Sequence, residues 1–409
     1  MQSAEPPVQS AEPAVAGRPE QLSPYVAADF PTEEFQTRIQ ATRTNMWLQG
    51  MDALLTVSPE NIYYLLGLNH QGYFSFTLLV LPMEGAPLLV TRAMERMTVN
   101  TQVPGCVHVP FDEDEDPALA AVHAIELASG VGAKVGVEQS SMHIPIGVWQ
   151  RTVEKLSDRE WIDASGLVEE VRSVKSEAEI AFMRRAARIS DRAVQEGIAT
   201  AGTGVTERTV AAAIYHEMIY AGSEHPGFAP FIRSTDILRH EHVTWRDREI
   251  RAGSGVLMEL SASVYRYHAP LTRIVHIGEA PPGTDRAAEI SIAGLEAVRA
   301  TLMPGVLSGD VYASWQKVMD EGLGHSNYRR HHCGYMVGIG FPPSWVGGSS
   351  VRGLRAGGEM VIRAGMVFHV LSWLLGQEPG DYVVSDTALV TPDGCELLTS
   401  TPREPVVLP

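Results

Sequence analysis

The first part of the chain alternates short apolar runs with helical patterns. Apolar positions at helical spacing predict a helix over 32–50, and another is predicted near 115–128. Apolar runs bounded by turn residues predict buried strands, which are DALLTV (52–57), FTLLVLP (76–82), PLLVTR (87–92), KVGVE (134–138) and WIDAS (161–165). This alternation predicts an α/β domain with a mixed sheet over residues 25–166.

The pattern changes after residue 166. Ser176 and Glu179 form a capping box that predicts the start of a long helix. A second helix is predicted over 206–220, and residues 255–278 alternate with period two, as in a long hairpin. Two more helices are predicted near 284–302 and 307–322, before a strand-rich end. Residues 167–409 are therefore predicted to form a second domain, of the α+β class.

Composition narrows the classes of function. The 409 residues carry 32 Lys and Arg against 49 Asp and Glu, a formal net charge of −17. An acidic chain disfavours nonspecific nucleic-acid binding, which needs basic surface. The repeat QSAEP (2–6 and 9–13) is polar and rich in Pro, and predicts a disordered tail over residues 1–24.

Targeting and redox signals point to the cytoplasm. No apolar run approaches the roughly 20 residues that span a bilayer, so no membrane partner is expected. The N-terminus has neither the basic nor the apolar part of a signal peptide. The three cysteines are scattered and form no CxxC pair, which disfavours a disulfide scaffold or a zinc cluster.

Four clusters of the second domain could carry chemistry. They are His240-Glu241-His242 on a segment predicted to be extended, Glu259 with the nearby Tyr267-His268, His331-His332 before Tyr335, and His369 with the later Asp386. A buried carboxylate such as Glu259 is costly unless it is paired or functional. Each histidine alone is also compatible with a structural role. Metal binding is the competing interpretation, but no HExxH or similar ligand set lies on one element.

Two longer motifs carry a family resemblance. DALLTVSPENIYYLLGL (52–68) and VRSVKSEAEIAFMRRAARISDRAV (171–194) resemble the creatinase/prolidase superfamily, over roughly residues 32–405. The resemblance implies a pita-bread catalytic domain behind a smaller N-terminal α/β domain. Its metallopeptidases hold two metal ions with Asp, Asp, His, Glu and Glu, and these positions become Glu259, Pro270, Tyr335, Leu371 and Ser385 here. The resemblance therefore implies a site without metal or other cofactor.

Local patterns are more similar to the metal-free ectoine hydrolase/creatinase branch, notably HVTW (242–245), GYMVGIGFPPSW (334–345) and MVFHVLSWL (366–374). That branch implies hydrolysis of a C–N bond in a small cationic or zwitterionic amidine or guanidino acid. Glu259 and Asp386 would hold the cation, and His242 would carry the proton, with His268, His332 and His369 as alternative carriers in that order. Further substrate-binding candidates are Tyr73, Phe74, Tyr267, His268, Arg273, His332, Tyr335, Trp345, His369 and Trp373.

Three departures leave alternatives open. Ser344 and Gly347 stand where ectoine hydrolases carry acids, and Asp386 replaces a Glu. A biosynthetic relative that acts on another small amidine or amide, including in the condensing direction, therefore stays open, as does a catalytically inactive pita-bread binding module. The resemblance also implies a homodimer, in which Tyr73 or Phe74 of one chain would close the active site of the other.

Overall fold

The structure is a computed structural model that describes residues 30–347 and 351–409. The tail predicted at 1–24 lies outside the described residues. The first sheet has the strand order β4-β3-β2-β1-β5-β6. Its strands are β1 (Ala53–Thr56), β2 (Leu78–Pro82), β3 (Leu88–Arg92), β4 (Val107–Phe111), β5 (Lys134–Val137) and β6 (Glu160–Asp163). Since β1 pairs antiparallel with β2 and parallel with β5, the sheet is mixed, as predicted.

Helices cover this sheet. They are α1 (Thr32–Leu48), α2 (Pro59–Leu66), α3 (Arg96–Gln102), α4 (Pro117–Ala128), α5 (Ile146–Lys155) and α6 (Leu167–Val171). The patterns predicted α1 and α4 but not α2 or α5. Proline at its first position starts α2, and Gly67 ends it with a positive φ of 80°. All eight residues of α2 are buried, and a helix of eight residues is shorter than the stretch over which apolar periodicity identifies a helix.

The second domain begins its long helices where the capping box predicted. Ser176 accepts from the Glu179 amide, and the Glu179 side chain accepts from the Ser176 amide. The helices of this domain are α7 (Glu177–Thr200), α8 (Glu207–Tyr220), α9 (Thr284–Thr301) and α10 (Ser308–Leu323). Apolar faces of these helices pack on the second sheet, where Trp315 is fully buried.

The second sheet forms the floor of the site. Its strands are β7 (Phe231–Ser234), β8 (Gly255–Leu260), β11 (Leu271–Ile277), β12 (Gly334–Met336), β13 (Val367–Leu374), β14 (Tyr382–Thr391), β15 (Gly394–Leu397) and β16 (Val406–Leu408). The main path runs β12-β13-β14-β11-β8-β7, and β15 and β16 pair with β14 and β11. One register row crosses it through Phe231, Glu259, Thr272, Ser385 and Leu371. Directly opposed residues point to the same face of a sheet, so these five share one face.

Two local predictions need correction. The hairpin predicted at 255–278 is the antiparallel pair β8–β11, but a small ribbon of β9 (Ser263–Val264) and β10 (Tyr267–His268) interrupts it. Tyr265 and Arg266 turn that ribbon with positive φ values of 49° and 64°. The segment around His242 is a turn rather than an extended strand, and His242 itself has a φ of 51°. Within the described residues, no helix is long and apolar enough to cross a membrane.

Candidate active site

A cavity of about 520 Å³ lies over the second sheet, and the first domain contributes part of its wall. Six aromatic side chains line it, and its ionisable groups are three acids, two arginines and four histidines. The aromatic residues are Phe228, Phe231, Tyr335, Phe341, Trp345 and Trp373. The ionisable groups are Glu60, Glu241, Glu259, Arg233, Arg355, His143, His242, His331 and His332. Aromatic walls with polar groups that converge on one cavity are typical of a small-molecule site, and nine ionisable groups make this cavity unusually polar.

Glu259 is the acid that strand β8 presents to this cavity. Its carboxylate makes no hydrogen bond or ion pair with any residue in the described part of the chain. Burial raises the pKa of Glu259 to about 7, against the opposing effect of the Arg233 guanidinium. An acid left without a partner in this setting is suited to a cationic ligand.

His242 reaches the same cavity from the turn after strand β7. Its ring lies 6.5 Å from the Phe228 centroid, nearly parallel, and 6.3 Å from Phe231, edge-on. The preceding Glu241 forms an ion pair with Arg330 at 2.9 Å. The left-handed backbone at His242 turns the chain sharply at this point and so sets where the imidazole enters the wall.

A chain of short hydrogen bonds runs from the cavity wall into the sheet. Trp345 Nε1 donates to Tyr335 Oη at 3.1 Å, and Tyr335 Oη lies 2.8 Å from His369 Nδ1. His369 Nε2 lies 2.6 Å from Ser385 Oγ, which donates to Thr272 Oγ1 at 2.7 Å. Burial lowers the pKa of His369 well below its ordinary value and raises that of Tyr335. Both groups are therefore neutral near pH 7.

Comparison with known proteins identifies this architecture. Residues 181–392 match the sequence model of metallopeptidase family M24, and residues 38–174 match that of the creatinase/prolidase N-terminal domain. The chain belongs to family M24. The second domain therefore has the pita-bread fold of this family of hydrolases, behind a creatinase-type N-terminal domain, as the resemblance implied.

Relatives within the family have different activities. An uncharacterized hydrolase/peptidase of Sinorhizobium fredii is 30% identical over 92% of this chain and 98% of its own length. The ectoine hydrolase of Halomonas elongata is 27% identical, covering 93% and 98%. The prolidase structure of Thermococcus sibiricus superposes with a TM-score of 0.83 at 22% identity, covering 92% of this chain and all of that one. These matches establish the family of the chain but not its substrate.

The positions at which M24 metallopeptidases hold two metal ions do not fit metals here. Of the five, only Glu259 offers a carboxylate, because Pro270 and Leu371 have no donor atoms and Ser385 and Tyr335 are committed to His369. No group of three or more His, Cys, Asp or Glu in residues 30–347 and 351–409 is placed to hold an ion. We therefore derive no step through a metal.

Asp386 does not face the cavity, which contradicts its predicted role in holding the substrate. Side chains alternate along β14, so Ser385 points to the cavity face and Asp386 to the opposite one. There Arg273 Nη2 and Arg403 Nε bind its two oxygens at 2.8 and 2.6 Å, and Thr399 Oγ1 adds a third bond. The predicted substrate role of Arg273 is wrong for the same reason, since it is buried against Asp386 and backbone carbonyls.

Two other candidates are buried away from the cavity. Tyr267 donates to Glu179 at 2.8 Å and is fully buried. His268 Nε2 accepts from the Gly227 amide and its Nδ1 donates to the Arg266 carbonyl, both at 2.8 Å. With both nitrogens engaged and the pKa of His268 lowered to about 4 by burial, it is a structural residue. Direct substrate contact by either side chain is therefore contradicted.

The remaining candidates divide into three groups: residues that line the cavity, residues behind its wall, and one exposed residue. His242, Glu259, His332, Tyr335, Trp345 and Trp373 line the cavity together. His369 lies behind Tyr335, and Tyr73 packs on Phe341 and His143, which belong to the cavity wall of its own chain. Phe74 is 76% exposed, under the Arg92 guanidinium.

The sequence patterns missed Glu60 and Arg233, and they named Glu241 beside His242 without giving it a role in the cavity. Glu60 enters from helix α2 of the first domain, and burial raises its pKa to about 7. Its motif, SPENIYYLL, carried the family resemblance but gave no sign that one residue reaches the cavity. Glu241, directly before His242, could have been placed in the cavity by treating that cluster as a turn, in which neighbouring side chains can face the same cavity.

Proposed function

We propose that this M24 protein is a metal-independent hydrolase that cleaves a C–N bond of a small cyclic amidine or guanidino acid. The observation that carries the proposal is the Glu259 carboxylate, which has no partner in the described part of the chain and lies in an aromatic-walled cavity. A planar amidinium or guanidinium offers paired N–H groups to a carboxylate and supplies the missing positive charge. The similarity to an ectoine hydrolase supports the same class, and ectoine is itself a cyclic amidine.

The chemistry follows from two side chains. Glu259 holds the substrate cation and keeps its central carbon electron-poor. Water adds to that carbon while His242 takes one of its protons, and the C–O bond forms as the π-electron pair of the C=N bond moves onto nitrogen. His242 then gives the proton to the leaving nitrogen as the C–N bond breaks and the C=O bond forms, which yields an amide and an amine from an amidine, or a urea and an amine from a guanidino acid. The cavity walls Phe228 and Trp345 shield the ion pair from solvent, which strengthens it.

The test compares substrates and metals in one preparation. Purified protein is analysed for metal content and assayed with ectoine, other cyclic amidines, guanidino acids and an Xaa-Pro dipeptide, each with and without EDTA. We expect hydrolysis of an amidine or guanidino acid that EDTA leaves unchanged. Loss of activity with EDTA and its return with a divalent ion, or cleavage of the dipeptide alone, would overturn the proposal.

A further inference from the structure

The hydrogen-bond chain behind the cavity has only one consistent direction. The geometry makes Ser385 the donor to Thr272, so Ser385 Oγ accepts from His369 Nε2–H. His369 is neutral, which leaves Nδ1 without a proton and makes it an acceptor. The single hydrogen of the Tyr335 hydroxyl is therefore given to His369.

Trp345 fixes the other side of the same hydroxyl. An indole nitrogen only donates, so Trp345 occupies one of the two acceptor positions of Tyr335 Oη. One acceptor position remains, on a residue that lines the cavity. Tyr335 thus has no hydrogen left to offer a ligand, but it can accept one.

Glu259 is the second acceptor at this wall. It lies in the same register row as Thr272 and Ser385, and its charge acts directly on Tyr335. An ionised carboxylate accepts hydrogen bonds and donates none. Tyr335 and Glu259 together therefore present only acceptors to the ligand.

We propose that Tyr335 Oη and Glu259 form an acceptor-only wall that selects a cationic group rich in N–H and rejects a carbonyl oxygen, with His369 as its positioning residue. The inference rests on the proposed function and deepens it to a rule of substrate choice. An amidinium or guanidinium presents several N–H donors in one plane. An Xaa-Pro peptide bond has no N–H, so its carbonyl oxygen would face two acceptors. The carbonyl oxygen, Tyr335 Oη and the Glu259 carboxylate would all lose water without gaining a hydrogen bond.

Two planar ligands of nearly equal shape test the rule. Benzamidinium offers only N–H donors, whereas benzamide replaces one nitrogen with a carbonyl oxygen. Titration calorimetry at pH 8, where Glu259 is mostly ionised, should show benzamidinium bound at least about 100-fold more tightly than benzamide. Tyr335→Phe should weaken benzamidinium by about 10-fold or more. Tyr382→Phe is the matched control, because the Tyr382 hydroxyl donates to the Arg403 carbonyl away from the cavity. It should change the affinity for benzamidinium less than about twofold.

His369 variants separate positioning from bulk. His369→Phe removes the acceptor of the Tyr335 hydroxyl hydrogen, so that hydrogen becomes available to a ligand. The substitution should lower the affinity for benzamidinium and raise the affinity for benzamide, so that the ratio of the two affinities falls by about 10-fold or more. His369→Asn retains an acceptor near Nδ1 and should restore part of the ratio. If His369→Phe does not fold, Ser385→Ala is the substitute, because it removes the hydrogen-bond acceptor of His369 Nε2–H and no longer fixes the tautomer of His369. It should also lower the ratio of benzamidinium affinity to benzamide affinity.

The outcomes distinguish the inference from the function on which it rests. Normal benzamidinium affinity in Tyr335→Phe, or an unchanged ratio in the folded His369 or Ser385 variant, overturns the inference even where amidines are hydrolysed. If the protein prefers benzamidinium to benzamide through Tyr335 but hydrolyses no amidine, the acceptor-only wall is supported and the proposed reaction is overturned. Equal binding of the two ligands by the native protein overturns the inference directly.

Discussion

Glu259 and Asp386 are two acids on nearby strands of one sheet, the first partly buried and the second fully buried, and their surroundings are opposite. Glu259 faces the cavity with no partner among residues 30–347 and 351–409, whereas Asp386 faces the other side with two arginines and a threonine. Burial raises the pKa of Glu259 to about 7. An isolated acid in a cavity is costly to the fold and available to a ligand, while a fully paired acid is neither.

The comparison shows that the face of a strand decides the role of an acid. Ser385 and Asp386 are adjacent in sequence, yet only Ser385 shares the face of Glu259. A shift of one residue along a strand changes the face completely. The two sides of this sheet should therefore respond differently to substitution, one in activity and the other in stability.

The largest effect is expected at the proton carrier of the cavity side. His242→Ala should lower turnover by roughly 10²–10⁴, the usual contribution of a general acid or base. Substrate should still bind, because Glu259 remains. Steady-state kinetics with the amidine found by the substrate screen measures this. His240→Ala is the matched control, since His240 lies two residues away, is exposed and does not line the cavity. Near-normal turnover in His242→Ala would assign the proton to His332 or His331.

Substitution of the two acids should separate binding from folding. Glu259→Gln should lower kcat/KM by about 10²–10³, the cost of losing one partner of a shielded charge pair. Asp386→Asn should leave kcat of the folded fraction within about threefold. Equal losses per folded molecule would mean that both acids act on the substrate, as the sequence patterns predicted.

The effects of the same two substitutions on stability should have the opposite order, with the larger loss in Asp386→Asn. Asp386→Asn leaves Arg273 and Arg403 without their shared partner, and breaking a buried pair costs about 3–5 kcal/mol. Glu259→Gln removes no hydrogen bond or ion pair and should not destabilise the fold. Urea unfolding followed by circular dichroism measures both variants. If the Glu259→Gln protein were less stable than the Asp386→Asn protein, Glu259 rather than Asp386 would be the acid that stabilises the fold.

Part of this arrangement could be predicted from the sequence. The capping box at Ser176 and Glu179 gave the start of α7, because both partners of that motif lie within four residues. The cluster of His242, Glu259 and Tyr335 followed from the resemblance. The pairing of Asp386 with Arg273 and Arg403 could not be predicted, because it depends on strand register across 113 and 17 residues. Likewise, Glu60 reaches the cavity only through the packing of one domain on the other.

The pH dependence of stability should report the unpartnered acid. An acid with a raised folded-state pKa stabilises the fold below its unfolded value, near 4.5, and loses that contribution as the pH rises through about 7. The stability of the native protein relative to Glu259→Gln should therefore fall between pH 5 and pH 8, by up to about 3 kcal/mol. Urea midpoints of both proteins across this range measure it. Glu60 titrates in both proteins and cancels in the difference. A difference independent of pH would mean that Glu259 stays ionised when the cavity is empty.

The smallest expected effect concerns assembly and the exposed Phe74. Phe74 is 76% exposed and follows Tyr73, which packs on the cavity-wall residue Phe341, so its ring is a natural contact for a second copy of the chain. We expect a homodimer by light scattering, with Phe74 of each chain closing the partner's cavity. Phe74→Ala should then lower turnover several-fold, while Trp47→Ala, another exposed aromatic change, should not. Mixing Phe74→Ala with His242→Ala should restore up to about a quarter of native activity, because half of the exchanged dimers are hybrids with one intact site. A monomer, or no recovery between subunits shown to exchange, would confine Phe74 to the surface of its own chain.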